Sequence, residues 1–264
     1  MASGIDHVVL AVNDPDSAAA ELTERVGLAF TAGGRHAGLG TFNRIAFLGD
    51  AYLELMGVDD PAAAAAWPIG AAAMQALERG GGFATYALVD DAIRNTVARL
   101  RANGSSIGPV VHGGRERPDG ERAEWWTAAA PELGPDRPPF LIKHLASGVE
   151  WGRDALAARR DFVHPIGSPV RLVGVQLAVL DHIALASSCL ADIGLEFLAV
   201  GESAVCAIGP HVLRLGPSHD SDARPTLLIG AGIDAPRRAE ILGVDVEIRP
   251  QRGWRNRSGA VDFG

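Results

Sequence analysis

With 264 residues, 47% hydrophobic and 21% charged, the chain carries enough apolar material for one large core or two smaller ones and is not of disordered composition. A formal net charge of −8 argues against a nucleic-acid or anionic-membrane partner, and the one basic stretch, Arg249–Arg257, reads as a solvated tail. No apolar run approaches the roughly 18 residues of a membrane span, and the first residues lack the basic-then-apolar pattern of a secretory signal, so no membrane partner and a cytoplasmic location are expected. Cys189 and Cys206 sit in apolar surroundings and read as two buried, reduced thiols.

In chain order, Ile5–Val12 is a β-rich run and Asn13–Gly27 a helix, with Asn or Asp at its cap and glycine at its end. The run LAFTAG, Leu28–Gly33, follows as a strand, then the glycine-rich GGRHAGLGTFNRIAF, Gly33–Phe47. A Gly49–Asp50 turn and the strand Ala51–Val58 complete a β-α-β-β-β order. The order returns with Phe83–Val89, a helix over Asp90–Gly104, and strands over Pro109–Gly114, Ala123–Ala130 and Pro139–His144. A third copy runs from Arg171 to Pro217, and a partial fourth has a strand at Pro225–Gly232, a helix over Asp234–Gly243 and a strand at Val244–Pro250. One such unit leaves a face of its curled sheet bare, whereas two paired units put their helices outside and enclose a cleft. The expected class is therefore α+β: a paired βαβββ domain over 1–145, a linker over 146–170, and a degenerate second pair over 171–264.

The segments DHVVLAV, GGRHAGLGTFNRIAFLGDAYLEL, RERPDG followed by EWW, and PPFLIKH together resemble the glyoxalase-like domain family. That family is part of the vicinal oxygen chelate superfamily, with glyoxalase I and the extradiol dioxygenases. The resemblance spans about residues 4–145, with a fainter continuation from His164 to about Pro217. It implies a divalent metal (Fe, Mn, Ni or Zn) in the cleft, held by one group from the first and one from the last strand of each module. His7 and Glu54 match in module one, and both alternate with aliphatic residues as cleft-facing strand residues do. In module two Ala84 stands opposite His7 and Lys143, the only lysine, opposite Glu54; a shift of one residue offers His144 instead. In module three the places are taken by Gly174 and Arg214. The metal set is thus His7, Glu54 and His144, and the losses count against it.

Around the same cleft the sequence offers Arg35, His36, Thr41 and Asn43 from the glycine-rich stretch, with His112, Arg115, Arg117, Asp119, Trp125, Trp126 and Lys143 from module two. Arginine and lysine beside aromatic, hydroxyl and amide groups suit a small organic acid or carbonyl compound, and His36 with Glu54 would supply acid–base chemistry. The alternative for RERPDGE is an exposed hairpin turning at Pro-Asp-Gly. No G-x-S-x-G elbow occurs, and GAGIDA, Gly230–Ala235, has too little chain after it for a dinucleotide fold, so no nucleotide cofactor is expected and the motif reads as a strand-to-helix turn. The expected function is a lyase, isomerase or dioxygenase-type enzyme on a small molecule. Its rivals are a metal-free ligand-binding protein of the same fold and a scaffold whose role is homodimerisation.

Overall fold

A computed structural model of the chain describes residues 2–117, 120–145, 152–160, 162–167, 169–220 and 223–251. The first unit is β1 (Gly4–Ala11), α1 (Pro15–Val26), β2 (Gly34–His36), β3 (Thr41–Leu48) and β4 (Ala51–Val58). After α2 (Pro61–Ala65) and α3 (Pro68–Glu78), the second is β5 (Gly82–Val89), α4 (Ile93–Ala102), β6 (Val111–Glu116), β7 (Arg122–Ala128) and β8 (Phe140–His144). The two units close an eight-stranded barrel in the order β1-β4-β3-β2-β6-β7-β8-β5, so the enclosed space is a barrel lumen and not an open cleft. The joints are the antiparallel pairs β1–β5 and β2–β6.

Alternation along each strand builds two apolar layers. Val8 and Leu10 of β1 face outward and pack with Leu22 and Val26 of α1. Val9 and Ala11 face inward and meet Met56, Phe140 and Ile142, with Ile69, Ala73 and Ala76 of α3 closing that end of the lumen. Residues 59–81, which the βαβββ pattern leaves unassigned, therefore supply the lid of the interior. α1 is set by Asp14, whose side chain accepts from the Asp16 N–H, and ends at Gly27 in the left-handed region (φ 82°).

One irregularity in β1 matters most. Ile5 pairs with Leu88 and His7 with Ala87, so Asp6 is an extra residue, a bulge that turns its side chain into the protein. The Ile5 N–H, beside that bulge, is taken by His211 Nδ1 at 3.0 Å, a residue from the far half of the chain.

That half begins with α5 (Arg153–Arg160) and continues with β9 (Val170–Val179), α6 (His182–Ile193), β10 (Leu198–Val200), β11 (Ser203–Ile208) and β12 (His211–Pro217). Then come β13 (Thr226–Ala231), β14 (Arg237–Ile241) and β15 (Val244–Pro250). These strands form one sheet, β10-β11-β12-β9-β13-β15-β14, whose inner face (Val175, Leu177, Leu213, Val246) joins the outer core of the barrel. The α+β class, the paired βαβββ order and the outer helices are as the sequence predicts. Two elements differ. The helix expected over Asp234–Gly243 is strand β14: Leu242 and Gly243 both take positive φ (49° and 70°), a two-residue hairpin turn that pairs Arg237–Ile241 antiparallel with β15. LAFTAG is not a strand: the Ala29 N–H donates to His164 Nδ1 at 3.0 Å and the Thr31 N–H to Ile45 O of β3 at 2.8 Å, so no continuous ladder forms. The basic stretch Arg249–Arg257 runs beyond the described residues after Gln251.

Gly33 tests the hairpin that carries the glycine-rich stretch. It has φ +67°, and a Cβ there would lie 1.7 Å from Asn43 O, a backbone atom that cannot swing aside. Gly38, with φ +71°, has nothing within 4 Å. Gly38→Ala should cost about 1–2 kcal/mol from backbone conformation alone, and Gly33→Ala clearly more; equal midpoints in urea denaturation would contradict the packing described.

Candidate functional site

The lumen is built around buried imidazoles and carboxylates. His7 Nδ1 lies 2.6 Å from Asp6 Oδ1, and its ring stacks on Tyr52 at 4.4 Å with Phe140 edge-on at 5.5 Å. The same carboxylate meets His144 Nε2 at 3.0 and 3.1 Å through its two oxygens. Asp6 is fully buried, which alone would raise its pKa; the charge and hydrogen bond of His144 and the hydrogen bond of His7 instead hold it well below the usual carboxylate range. An ionised Asp6 accepts only, so both imidazoles donate to it: His7 through Nδ1–H, His144 through Nε2–H. Burial lowers the pKa of His144, against the pull of Asp6. The other ring nitrogen of His7, Nε2, faces Glu54 Oε2, 3.5 Å away.

His36 stands on the other side of Glu54. Its Nε2 is 3.5 Å from Glu54 Oε1 and 3.3 Å from Asn43 Nδ2, and Asn43 Nδ2 donates to Glu54 Oε1 at 2.6 Å. An amide N–H toward Nε2 makes that nitrogen an acceptor, so the Nδ1–H donates to Thr41 Oγ1 at 2.7 Å. Burial pushes the His36 pKa down to about 4, with Glu54 opposing and Arg115 assisting, so the ring is neutral at pH 7. Asn43 Oδ1 is buried with no hydrogen-bond partner and is an acceptor available to a ligand.

Two buried guanidinium groups complete the lining. Arg115 of β6 enters beside Gly34, where even a Cβ would stand 2.8 Å from its Nη1. Arg159 comes from α5 and lies over the Phe47 ring at 4.2 Å and the Tyr52 ring at 5.8 Å. With Trp67 and Trp125 these residues line a narrow cavity of about 40 Å³.

Of the residues singled out from sequence, His7, His36, Asn43, Glu54, Arg115, Trp125 and His144 line this space, Thr41 lies behind His36, and His112 is half-exposed beside Glu124. The others are placed elsewhere. Arg35 points outward, pairs with Asp59 and lies over Phe42. Arg117 sits past the end of β6 in the β6–β7 connection, whose Pro118–Asp119 corner lies outside the described residues. Trp126 and Lys143 border a groove on the outer face of the wall. Their neighbours Trp125 and His144 face inward, because adjacent strand residues take opposite faces. Asp6 and Arg159 were not among the candidates for catalysis, binding or metal; the bulge hides the first, and the second comes from the stretch assigned to the linker.

The divalent metal implied by the resemblance does not fit these residues. Of the inward positions of module two, Ala84, Phe140 and Ile142 offer no donor. His144 commits Nε2 to Asp6, and the Asn43 amide occupies Glu54 Oε1. Among the described residues no group of three or more His, Cys, Asp or Glu side chains is placed to hold an ion.

This barrel of paired βαβββ units is the vicinal oxygen chelate fold. A profile of the glyoxalase-like domain family matches residues 5–192, and the chain belongs to that family. A hypothetical protein from Staphylococcus aureus is similar over 94% of this chain and 99% of its own, with TM-score 0.78 and 16% identity. A triple mutant of 4-hydroxymandelate synthase from Streptomyces coelicolor is similar over 87% of this chain and 71% of its own, with TM-score 0.50 and 17% identity. Methylmalonyl-CoA epimerase from Mycobacterium tuberculosis overlaps 54% of this chain and 87% of its own, with TM-score 0.39 and 18% identity. No curated protein matches the chain. Among the described residues no helix is long and apolar enough to cross a membrane, and Cys189 and Cys206 are free and buried.

The neutral buried imidazoles set a pH dependence. His211, like His36, is pushed down to about 4 by burial, and its Nδ1 must stay unprotonated to accept from Ile5. In the unfolded chain both return to about 6.5. Between those values the unfolded state binds more protons, so stability falls as pH drops from about 6.5 toward 4. His36→Gln and His211→Gln should each show a shallower fall in urea midpoint over this window than the parent protein; an unchanged slope in both would contradict the assignment.

Proposed function

We propose that the chain is a small-molecule enzyme of the isomerase or lyase kind, moving a proton at a carbon next to a carbonyl in a small organic acid or carbonyl compound. The observation that carries this reading is the His7 imidazole, oriented by buried Asp6 at 2.6 Å with its other nitrogen 3.5 Å from Glu54 in an enclosed pocket. His7 Nε2 takes the proton: the C–H bond breaks, an N–H bond forms, and the electron pair moves onto the carbonyl oxygen. The buried Arg115 and Arg159 groups favour the negative charge on that oxygen in surroundings of low dielectric. Glu54, flanked by His7 and His36, is placed to exchange the proton and return it to carbon, which completes an isomerisation. Where a leaving group stands at the next carbon, the electron pair of the enolate instead forms the C=C bond and expels that group, which takes the proton, and an elimination results.

Dioxygenase-type chemistry and a resident divalent ion gain no support from the donor set. The competing reading is a metal-free binding protein, favoured by the apolar residues Phe140 and Ile142 that face the lumen from module two. A cytoplasmic setting, in which Cys189 and Cys206 stay reduced, belongs to the same proposal.

Proton abstraction can be detected without knowing the physiological product. Pyruvate, methylglyoxal, dihydroxyacetone and acetoacetate would be incubated with the protein in D2O, with and without EDTA, and hydrogen exchange at carbon followed by NMR. At least one compound should exchange with the parent protein in both buffers, and the rate should fall roughly a hundredfold or more in His7→Ala and in Glu54→Gln. Binding detected by a raised melting temperature without exchange would favour the binding protein. Exchange abolished by EDTA would overturn the metal-free assignment.

A further inference from the structure

His144 borders two spaces at once. It lines the lumen, and of the lumen residues it alone also lines the outer groove formed by Trp126, Lys143 and the start of α4. Its Nε2 reaches both oxygens of Asp6, at 3.0 and 3.1 Å, while His7 Nδ1 reaches only Oδ1, at 2.6 Å. The four side chains run in series, Glu54, His7, Asp6, His144, from the lumen to its wall.

The second donor on Asp6 has a chemical consequence. A carboxylate buried to this degree with one hydrogen-bond donor is driven toward its acid form. A protonated Asp6 would donate to His7 Nδ1, and neutral His7 would then carry its proton on Nε2, facing Glu54. That tautomer has no lone pair toward the lumen and cannot accept a proton there. With two imidazoles donating, Asp6 remains an acceptor and His7 is fixed with Nε2 open. Of the other groups around the pair, the Glu54 carboxylate, 3.5 Å from His7 Nε2, opposes this control, since it would accept from an Nε2–H, so the donor pair on Asp6 has to outweigh it. Tyr52 and Phe140 pack on the face and edge of the His7 ring, Trp125 stands 6.5 Å from the His144 ring, and Arg159 adds positive charge near Tyr52.

We propose that His144 is a positioning residue that acts through Asp6 to hold His7 in the tautomer whose Nε2 is open to the lumen. This rests on the reading of His7 as the proton acceptor, but its test needs no substrate. In protein carrying 15N-labelled histidine at pH 7.5, long-range NMR correlations report which ring nitrogen holds the proton. The parent protein should show His7 as the Nδ1–H form and His144 as the Nε2–H form. His144→Phe should move His7 toward the Nε2–H form. His144→Gln, whose amide N–H can still donate to Asp6, should restore the parental form.

In the deuterium-exchange assay with a responsive compound such as pyruvate, His144→Phe should slow the maximal rate tenfold or more. The concentration at half-maximal rate should stay unchanged, and His144→Gln should recover part of the rate. Finding His7 mainly as Nε2–H in the parent protein would overturn the proposal, as would an unaltered His7 tautomer in a folded His144→Phe protein. If His144→Phe does not fold, the parental tautomers together with His144→Gln still decide it. The parental tautomers as described, with no exchange of any compound, would sink the enzyme reading and leave the clamp standing.

Discussion

The interior of this barrel depends on one buried negative charge. Asp6 has no exposure to water, and its carboxylate is kept ionised by two imidazole donors from opposite ends of the barrel sequence, His7 on β1 and His144 on β8. Burying a lone carboxylate costs several kcal/mol, and the cost is tolerable only where hydrogen bonds replace its water. The bulge in β1 is what brings the side chain to that position. The same bulge takes the Ile5 N–H out of the barrel ladder, and His211 of the second sheet accepts it. The second sheet is therefore tied by a hydrogen bond to the strand that carries the site, one residue away from Asp6.

From that anchor the chemistry of the pocket follows outward. Asp6 takes the Nδ1 side of the His7 ring, which leaves Nε2 toward Glu54. On the far side the Asn43 amide, shared between Glu54 and His36, fixes His36 in the same sense, with Thr41 behind it. Neutral imidazoles, carboxylates and two buried guanidinium groups in a space this enclosed suit proton transfer better than they suit a divalent ion. Membership of the glyoxalase-like family is thus compatible with a site in which a carboxylate–imidazole pair occupies the ground where the resemblance implies a metal.

Much of this was readable from the residues. The recurring β-α-β-β-β order, the polar positions at His7 and Glu54 within apolar strands, and the glycine-rich stretch carrying His36, Thr41 and Asn43 all lie where the sequence pattern puts them. The misplacements have two physical origins. Where two candidates are adjacent, as in Trp125–Trp126 and Lys143–His144, a one-residue slip exchanges inside for outside, and no pattern within a five-residue strand fixes the phase. Asp6 is a different case: by strict alternation it belongs with the outward-facing Val8, and only the unpaired position opposite β5 turns it inward. Arg115 lies where the sequence puts it, with Gly34 leaving it room, whereas Arg159 depends on a contact distant in sequence, α5 carrying it onto the Phe47 ring.

The ionised state of Asp6 is the claim on which the rest stands, and it can be measured directly. A titration of the Asp6 side-chain 13C carboxyl signal from pH 7.5 downward separates hydrogen-bonded stabilisation from burial, since the two move the pKa in opposite directions. The account predicts no protonation of Asp6 through its ordinary range near 3.9 for as long as the protein stays folded. A carboxyl that takes up a proton between about pH 4 and 7 in the folded protein, as burial alone would dictate, would contradict it.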